Sequence, residues 1–538
     1  MPSIPIGIHV VQKCPPPCCN RTLGYRVFIL VLTFLCYMSY HLSRRPISVV
    51  KSVLHRNCSK LIPPPHVANN KTWCEWPPFD GENYHQLYGG LDYAYLFSYA
   101  ISMFFCGQIA ERMNLRHFLG FGMLLSGVFT AAFGMGYFFH FHSYGFYVGV
   151  QVLGGMFQAT GWPSVVTGVA NWFGKGKRGF IMGVWNSHTS VGNILGSIIP
   201  AIWVNDEWGW SFVVPGIIIF TLGVVVLLFF IPYPEDVGCI PPDHHKPVST
   251  YNINDSTAAY SHASTSAENG GYTVAVNTDD YDYDPNTTEE DRLINNEIAP
   301  PLSPNPDLHQ AISFRRALTI PGVIEFALVL FFAKLVSYTF LFWLPEYINE
   351  SSKSHFDAQK AADLSALFDV GGIIGGILAG VISDLTGARA STCLVMLALA
   401  APMMFLYEQF GNTSMTSFVA LLMATGLLVN GPYALITTAV SADLGTHKSL
   451  QGNSKALATV TAIIDGTGSM GAALGPLVTG FISDSLGWNW VFRMLILADL
   501  LALVCLIRLV VKEFMHCCGR KVLAVSGPRY GPTEDHSE

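Results

Sequence analysis

Charge is the scarce ingredient of this chain. Only 12% of its 538 residues are Asp, Glu, Lys or Arg, about half of the roughly 25% usual in soluble domains. The basic residues form no stripe and no finger or recognition motif, which excludes nucleic acid as a partner. There is no Walker loop, no catalytic pair of acids in a polar segment and no metal-ligand spacing among the twelve cysteines, so no enzyme activity and no cofactor are expected. A cleavable signal peptide is not expected either, because the first apolar run is too long and lacks a convincing small-residue cleavage site. What abounds is apolar: 51% hydrophobic residues, 35 Phe and 50 Gly. That balance describes a polytopic membrane protein whose main partner is the lipid bilayer.

Runs of about 20 apolar residues predict twelve helices, at about 25–53, 90–110, 117–139, 143–172, 179–204, 210–232, 320–349, 361–383, 391–409, 415–441, 456–482 and 489–511. The fold class is therefore all-α, with two six-helix halves. Residues 1–24 form a tail, 25–232 the first bundle with a loop at 54–89, 318–512 the second bundle and 513–538 a second tail. The segment 233–317 contains Ser249–Asn269 and Asp279–Asp284, which are rich in Ser, Thr, Asn, Asp and Tyr. It cannot bury a core and reads as a disordered linker.

Basic residues gather on one side of the spans: Arg112 and Arg116, Lys175, Lys177 and Arg178, Arg315 and Arg316, Arg389, and Lys448. The positive-inside rule puts these, the linker and both termini in the cytoplasm. The loop at 54–89 then lies on the luminal or external side. It carries two sequons, at Asn57 and Asn70, and two cysteines, Cys58 and Cys74, that can pair in an oxidising compartment.

The halves repeat each other. Gly107-x3-Glu111-x4-Arg116 follows the second span, and Gly380-x3-Asp384-x4-Arg389 follows the eighth. Trp185 to Gly196 in the fifth span aligns without a gap on Ile464 to Gly475 in the eleventh, sharing its glycines and a Leu-Gly pair. Gly161-Trp162-Pro163 and Gly431-Pro432 punctuate the fourth and tenth. A duplicated six-helix unit with an acid–arginine turn in each half resembles the major facilitator superfamily of transporters.

Intramembrane charge marks the candidate site. Arg44 and Arg45 follow an uncharged run from Val27 to Ser43 and lie toward the non-cytoplasmic half, where positive charge has no orienting value. They read as holding a phosphate group. Lys334 sits at the middle of the seventh span, where a lysine costs roughly 3 kcal/mol on insertion scales. It mirrors the Arg44 region of the first span, and one cation from each half can clamp a dianion. The alternative for Lys334 is a buried ion pair with Asp369 or Asp465. Tyr37, His41 and Arg44 share a helix face, and Tyr40 stands one turn before Arg44. Trp185, Asn186 and His188 of the fifth span are further ligand candidates. Asp465 aligns with Asn186 and, with Asp369, is a candidate proton or polar-network site.

Tyr37 to Pro46, Lys177-Arg178-Gly179, Trp185-Asn186-x-His188 and Lys334 together resemble the organophosphate:phosphate antiporters. Within them the chain is similar to the sugar-phosphate exchangers of animal endomembranes, the glucose-6-phosphate transporter group, over roughly residues 22–512. The resemblance implies rocker-switch exchange of a sugar phosphate, glucose 6-phosphate above all, for inorganic phosphate across the endoplasmic reticulum membrane, and would allow functional coupling to a luminal phosphatase. It assigns Arg44 as the phosphate-binding arginine and Arg45 as the adjacent basic position. Two departures stand out. The position of the bacterial glycerol-phosphate carrier's second arginine is Ser337 here, with Lys334 one turn earlier, and the position of its fifth-span histidine is Thr189, one residue after His188. A lysine cannot make an arginine's bidentate fork. A proton-coupled carrier of another organic anion, titrating at His188 or Asp465, and a non-transporting receptor or scaffold signalling through the linker remain open readings.

Overall fold

The computed structural model describes residues 4–8, 21–56, 58, 74–173, 184–239, 314–351, 357–445 and 456–525. The sequons at Asn57 and Asn70, the basic residues Lys175, Lys177, Arg178 and Lys448, and both polar stretches of the 233–317 segment lie outside them.

The first expected span is two helices, α1 (Arg21–Arg44) and α2 (Pro46–Leu54). α3 (Tyr84–Arg112) and α4 (Leu115–Phe138) are the second and third, and α5 (Tyr144–Gln158) with α6 (Gly161–Trp172) is the fourth. α7 (His188–Ala201) and α8 (Trp210–Phe229) complete the first half. The second half comprises α9 (Val323–Ser351), α10 (Ala358–Thr386), α11 (Arg389–Phe410), α12 (Met415–Leu435), α13 (Ala456–Leu486) and α14 (Trp488–Val525). Among the described residues, eight helical stretches are long and apolar enough to cross a membrane. The expected spans outside that group are α3, α13, α7 and the interrupted α5–α6. α3 packs on α13 and α7 on α10, so the two halves meet along these helices. The outer faces are apolar, with Phe105, Val395, Leu497 and Val504 more than half exposed, as helices bathed in lipid require.

Three interruptions mark the spans, and proline explains two of them. Pro46 lacks the N–H that would bond the Leu42 carbonyl, so the first span kinks at Arg45, which keeps right-handed helical angles. Pro163 does the same to Ala159, which separates α5 from α6 although Ala159 and Thr160 stay helical. After α12 the backbone makes a π-helical turn over Ile436–Val440 before a last α-turn, Ser441–Gly445. Such turns inside helices are frequent at functional sites.

The start of the 233–317 segment is ordered against the first half. Pro234–Val237 is a 3₁₀ turn, and Val237 and Cys239 are buried in the core formed by α1, α4, α6 and α8. Trp172 Nε1 donates to the Ile231 carbonyl at 2.9 Å. At the opposite end of the bundle, Cys58 and Cys74 form a disulfide, and Trp76 N–H donates to the Leu54 carbonyl at 2.9 Å. The acid–arginine turn of the second half closes as an ion pair, Arg389 Nη2 to Asp384 Oδ1 at 3.7 Å, strengthened by Asp443 at 2.5 Å from Arg389 Nε. Glu513 of α14 accepts from the backbone N–H groups of Ala390 and Ser391 at 2.8 and 2.9 Å and so caps α11.

Candidate functional site

Arg44 is fixed by neutral groups. Its Nε donates to Gln158 Oε1 at 2.7 Å, and Gln158 Nε2 donates to Ser43 Oγ at 2.8 Å, which sets the amide's orientation. Gln158 is the last residue of α5, so the Pro163 interruption helps place it. The guanidinium carbon lies 4.7 Å from the Tyr99 ring centre and 5.9 Å from that of Tyr37. Nη1 donates to the Tyr338 hydroxyl of the other half at 3.4 Å. Arg44 is 4% exposed, forms no ion pair among the described residues, and its Nη2 has no hydrogen-bond partner. A buried charged donor left open is costly, and an anion is the natural group to satisfy it.

Lys334 is differently placed. Its Nζ is 2.7 Å from Asp465 Oδ1 and 3.3 Å from Ser469 Oγ. The ammonium also lies 5.8 Å from the ring centre of Tyr338 and 5.6 Å from that of Tyr433. The partner that sequence reasoning named as the alternative to a ligand role is thus present in this conformation. Arg44, Lys334 and Asp465 together leave the buried cluster with one net positive charge.

The internal repeat gives these residues a register. A Cβ on Gly192 or Gly196 would collide with the carbonyls of Met38 and Leu42, and a Cβ on Gly471 or Gly475 with those of Phe331 and Leu335. α7 therefore crosses α1 as α13 crosses α9, with a constant offset of 293 positions (331 against 38, 335 against 42). Lys334 is by that register the equivalent of His41, and the equivalent of Arg44 is Ser337. The second cation is one helical turn from the strict symmetry mate of the first.

Beside the cations lies a cleft with about 520 Å³ of empty space. Neither Arg44 nor Lys334 lines it. Tyr338, which touches both, does, and so do His41, Asn186 and Asp369. Its polar wall is wired across the halves. Asn193 Nδ2 donates to Asp369 Oδ1 at 2.8 Å, so Asn193 Oδ1 is left to accept from His41 Nδ1 at 3.1 Å. His41 Nε2 and Asp369 Oδ2 are buried without partners. On the facing helices Ser337 Oγ donates to Asn430 Oδ1 at 2.6 Å.

The remaining candidates are nearby but turned elsewhere. His188 is fully buried against Trp185, with ring centres 4.4 Å apart, and against Tyr37 at 4.9 Å. Its Nδ1 meets Thr189 Oγ1 at 3.2 Å and its Nε2 has no partner. Trp185 Nε1 donates to Thr33 Oγ1 at 3.2 Å. Tyr40 bonds Thr160 Oγ1 at 3.2 Å, and its ring lies where a Cβ on Gly161 would sit. Arg45 points away from the cluster. Its Nε donates to Ser197 Oγ at 2.9 Å, its Nη2 to Ser365 Oγ at 3.0 Å and its Nη1 to the Leu341 carbonyl, so it ties the first half to the second.

That tie belongs to a seal at the disulfide end. Lys51 is fully buried, paired with Asp92 at 2.5 Å, donating to the Phe342 carbonyl at 3.1 Å and 4.0 Å from the Trp343 ring centre. Asn205 Nδ2 reaches Asp357 Oδ2 at 3.3 Å. Toward the other end, a second cleft of about 280 Å³ shares Asn186, Gly376 and Ala434 with the first and extends to Asp384, Thr438 and Ala439 beside the π-helical turn. The cavity is therefore closed at the disulfide end and continues toward the acid–arginine turn.

Sequence reasoning did not single out Gln158, Tyr99, Tyr338, Asn193, Asn430, Lys51 or Asp92. All are polar residues inside apolar spans, and a search for that feature would have found them.

Two six-helix halves, a polar cleft between them and buried cations beside it define a membrane carrier of anions. The family model described as Major Facilitator Superfamily matches residues 33–454 and 326–514. The chain is 57% identical over 500 residues to the human "Glucose-6-phosphate exchanger SLC37A2", covering 92% of this chain and 94% of that one. It is 55% identical to the Danio rerio protein of the same name, with 96% and 98% covered. To the Mus musculus "Glucose-6-phosphate exchanger SLC37A1" it is 50% identical with both chains fully covered. The protein belongs to the major facilitator superfamily and, within it, to the family of these exchangers; it is a transporter rather than an enzyme.

Proposed function

We propose that the protein exchanges a sugar phosphate, glucose 6-phosphate first, for inorganic phosphate by alternating access. The observation that carries the reading is the buried Arg44 guanidinium, with no carboxylate partner among the described residues and an Nη2 without a hydrogen-bond partner. The names of the relatives supply the sugar phosphate. Phosphate oxygens would take Arg44 Nη2 and, by drawing Lys334 from Asp465, the Lys334 ammonium. Tyr338 would turn with them, because its hydroxyl and ring already contact both cations. Sugar hydroxyls would bond Asp369, Asn193, Asn186 and Asn430 in the cleft. Arg45, Tyr37, Tyr40, His41, Trp185 and His188 would shape the site around the anion rather than all bind it directly.

Obligatory exchange follows from the same charges. Crossing without an anion carries an unpaired buried guanidinium through the transition, which is costly. Phosphate as counter-substrate neutralises it on the return. The seal at Arg45 and Lys51 would open as the cleft beside Asp384 closes. The basic turns and the disulfide lie at opposite ends, which supports cytoplasmic termini and an oxidising lumen such as that of the endoplasmic reticulum, where a phosphatase could consume the delivered sugar phosphate. The test is counterflow on purified protein in liposomes loaded with labelled phosphate. Efflux should require external phosphate or a sugar phosphate and should not follow an imposed pH gradient. Uptake driven by the pH gradient without counter-phosphate would select the proton-coupled reading.

A further inference from the structure

A second ionisable cluster lies at the disulfide end, outside the substrate cleft. His85 opens α3 of the first half, Glu346 and Glu350 end α9 of the second, and Asp484 ends α13. His85 Nε2 is 3.1 Å from Glu350 Oε1, and His85 Nδ1 is 2.7 Å from Asp484 Oδ1. One donor atom each from His85, Glu346 and Glu350 lie within 4.8 Å of one another. Glu346 is 3% exposed and its Oε2 has no hydrogen-bond partner. Glu350 is oriented by Tyr84, whose hydroxyl donates to Oε1 at 2.8 Å, and by Trp488 Nε1, which donates to Oε2 at 2.7 Å.

The charges do not balance. Three carboxylates face one imidazole, and Lys51, the buried lysine at this end, is already paired with Asp92. Glu350 reaches solvent, but Glu346 beside it is buried with an open oxygen, and a buried carboxylate without a counter-charge is costly, so the cluster calls for a cation. One imidazole nitrogen with carboxylate oxygens is a donor set for a borderline divalent metal. Bonds of 2.0–2.2 Å at tetrahedral angles put such donors roughly 3.3–3.6 Å apart, so binding would draw these groups together by side-chain rotation from their present spacing, within 4.8 Å.

We propose that His85, Glu346 and Glu350, with Asp484 alongside, form a divalent metal site of the Zn²⁺ class that bridges the two halves and latches the disulfide end shut. The site exists only while α3 and α13 are in contact. A Cβ on Gly480 would meet the His85 carbonyl at 2.5 Å, and one on Gly89 the Leu477 carbonyl at 3.2 Å, so these backbones touch beside the cluster. Separating the halves would pull His85 from both glutamates. A bound ion would therefore hold the closed state and slow exchange. The latch rests on the alternating-access reading; metal binding does not.

The experiment uses full-length protein stripped with EDTA and titrated with Zn²⁺ against a chromophoric chelator, with melting temperature as a second readout. Wild type should bind one equivalent and melt higher with metal. Glu346→Gln keeps the side-chain shape, so its metal-free melting temperature should stay at or above that of wild type, while its affinity falls by at least about tenfold. His85→Asn should lose affinity likewise. In liposomes, Zn²⁺ on the disulfide side should slow wild-type exchange, EDTA should restore it, and Glu346→Gln should be insensitive. Absence of saturable binding would mean that protons alone balance the cluster and would overturn the proposal, as would equal affinity in both variants. Mutation-sensitive binding that leaves wild-type exchange unslowed would overturn the latch.

Discussion

Arg44 and Tyr338 meet across the two halves of the molecule: Nη1 of the arginine donates to the tyrosine hydroxyl at 3.4 Å. The same tyrosine lies with its ring centre 5.8 Å from the Lys334 ammonium and lines the cleft between the halves. Tyr338 thus couples the two cations to the cavity that neither of them lines. Replacing it with Phe should preserve folding and the ring contact with Lys334 while removing the acceptor for Arg44. We expect weaker phosphate affinity in counterflow, by roughly 1.5 kcal/mol, the low end for a hydrogen bond to a charged group, since this one is long.

The pair Lys334–Asp465 should behave as a unit. Lys334→Ala alone leaves a buried carboxylate uncompensated and should destabilise the protein by about 3–5 kcal/mol. Adding Asp465→Asn should recover most of that stability, read as melting temperature in detergent. Exchange should stay lost in the double variant, because the second cation is gone. Recovery of transport together with stability would mean that the pair is structural only.

On the proposed reading, Asp369 serves the sugar rather than the phosphate. Asp369→Asn keeps the size of the group and its contact with Asn193 but removes a charged acceptor with a free oxygen facing the cleft. Phosphate self-exchange should be largely retained, whereas exchange with glucose 6-phosphate should weaken by about 1.5–3 kcal/mol in apparent affinity. Equal loss in both assays would move Asp369 from the sugar to the phosphate.

Much of this was legible in the sequence. The all-α fold and its two halves follow from hydropathy and from the glycine-matched repeat, and the cost of charge in lipid singles out Arg44, which is buried with no ion pair among the described residues. Three features were not. Pro46 and Pro163 break spans that composition reads as continuous, because hydropathy does not register a missing N–H. Two adjacent arginines look equivalent in sequence, yet they point about a third of a turn apart on a helix, so Arg44 meets Tyr338 and Arg45 meets Ser365 and Leu341. The lysine in α9 looked like a counterpart of Arg44. The carbonyls that Gly471 and Gly475 approach make it the counterpart of His41, a register fixed by helix crossing rather than by residue type.

The glycine crossings give a stability prediction. Gly471→Ala puts a methyl into the Phe331 carbonyl, and Gly375→Ala one into that of Leu427; neither backbone can yield cheaply. Both should sharply reduce folded protein on size-exclusion chromatography. Gly149→Ala meets nothing within 4 Å and should be neutral or slightly stabilising, since Ala exceeds Gly in helix propensity by about 1 kcal/mol.

Arg45 should act on the conformational equilibrium. Arg45→Ala removes donors to Ser365 and Leu341 and should favour separation at the disulfide end. Ser365→Cys in that background should react faster with a membrane-impermeant maleimide applied from that side than in wild type. Unchanged labelling would remove Arg45 from the seal.

The most direct measurement is phosphate counterflow in liposomes with Arg44→Lys beside wild type, at matched protein insertion. Lysine keeps the charge but lacks the fork that bonds Gln158 while leaving Nη2 for an anion. The account predicts that Arg44→Lys loses most phosphate exchange while its melting temperature stays close to that of wild type. Full exchange by Arg44→Lys, or by Arg44→Ala, would contradict it.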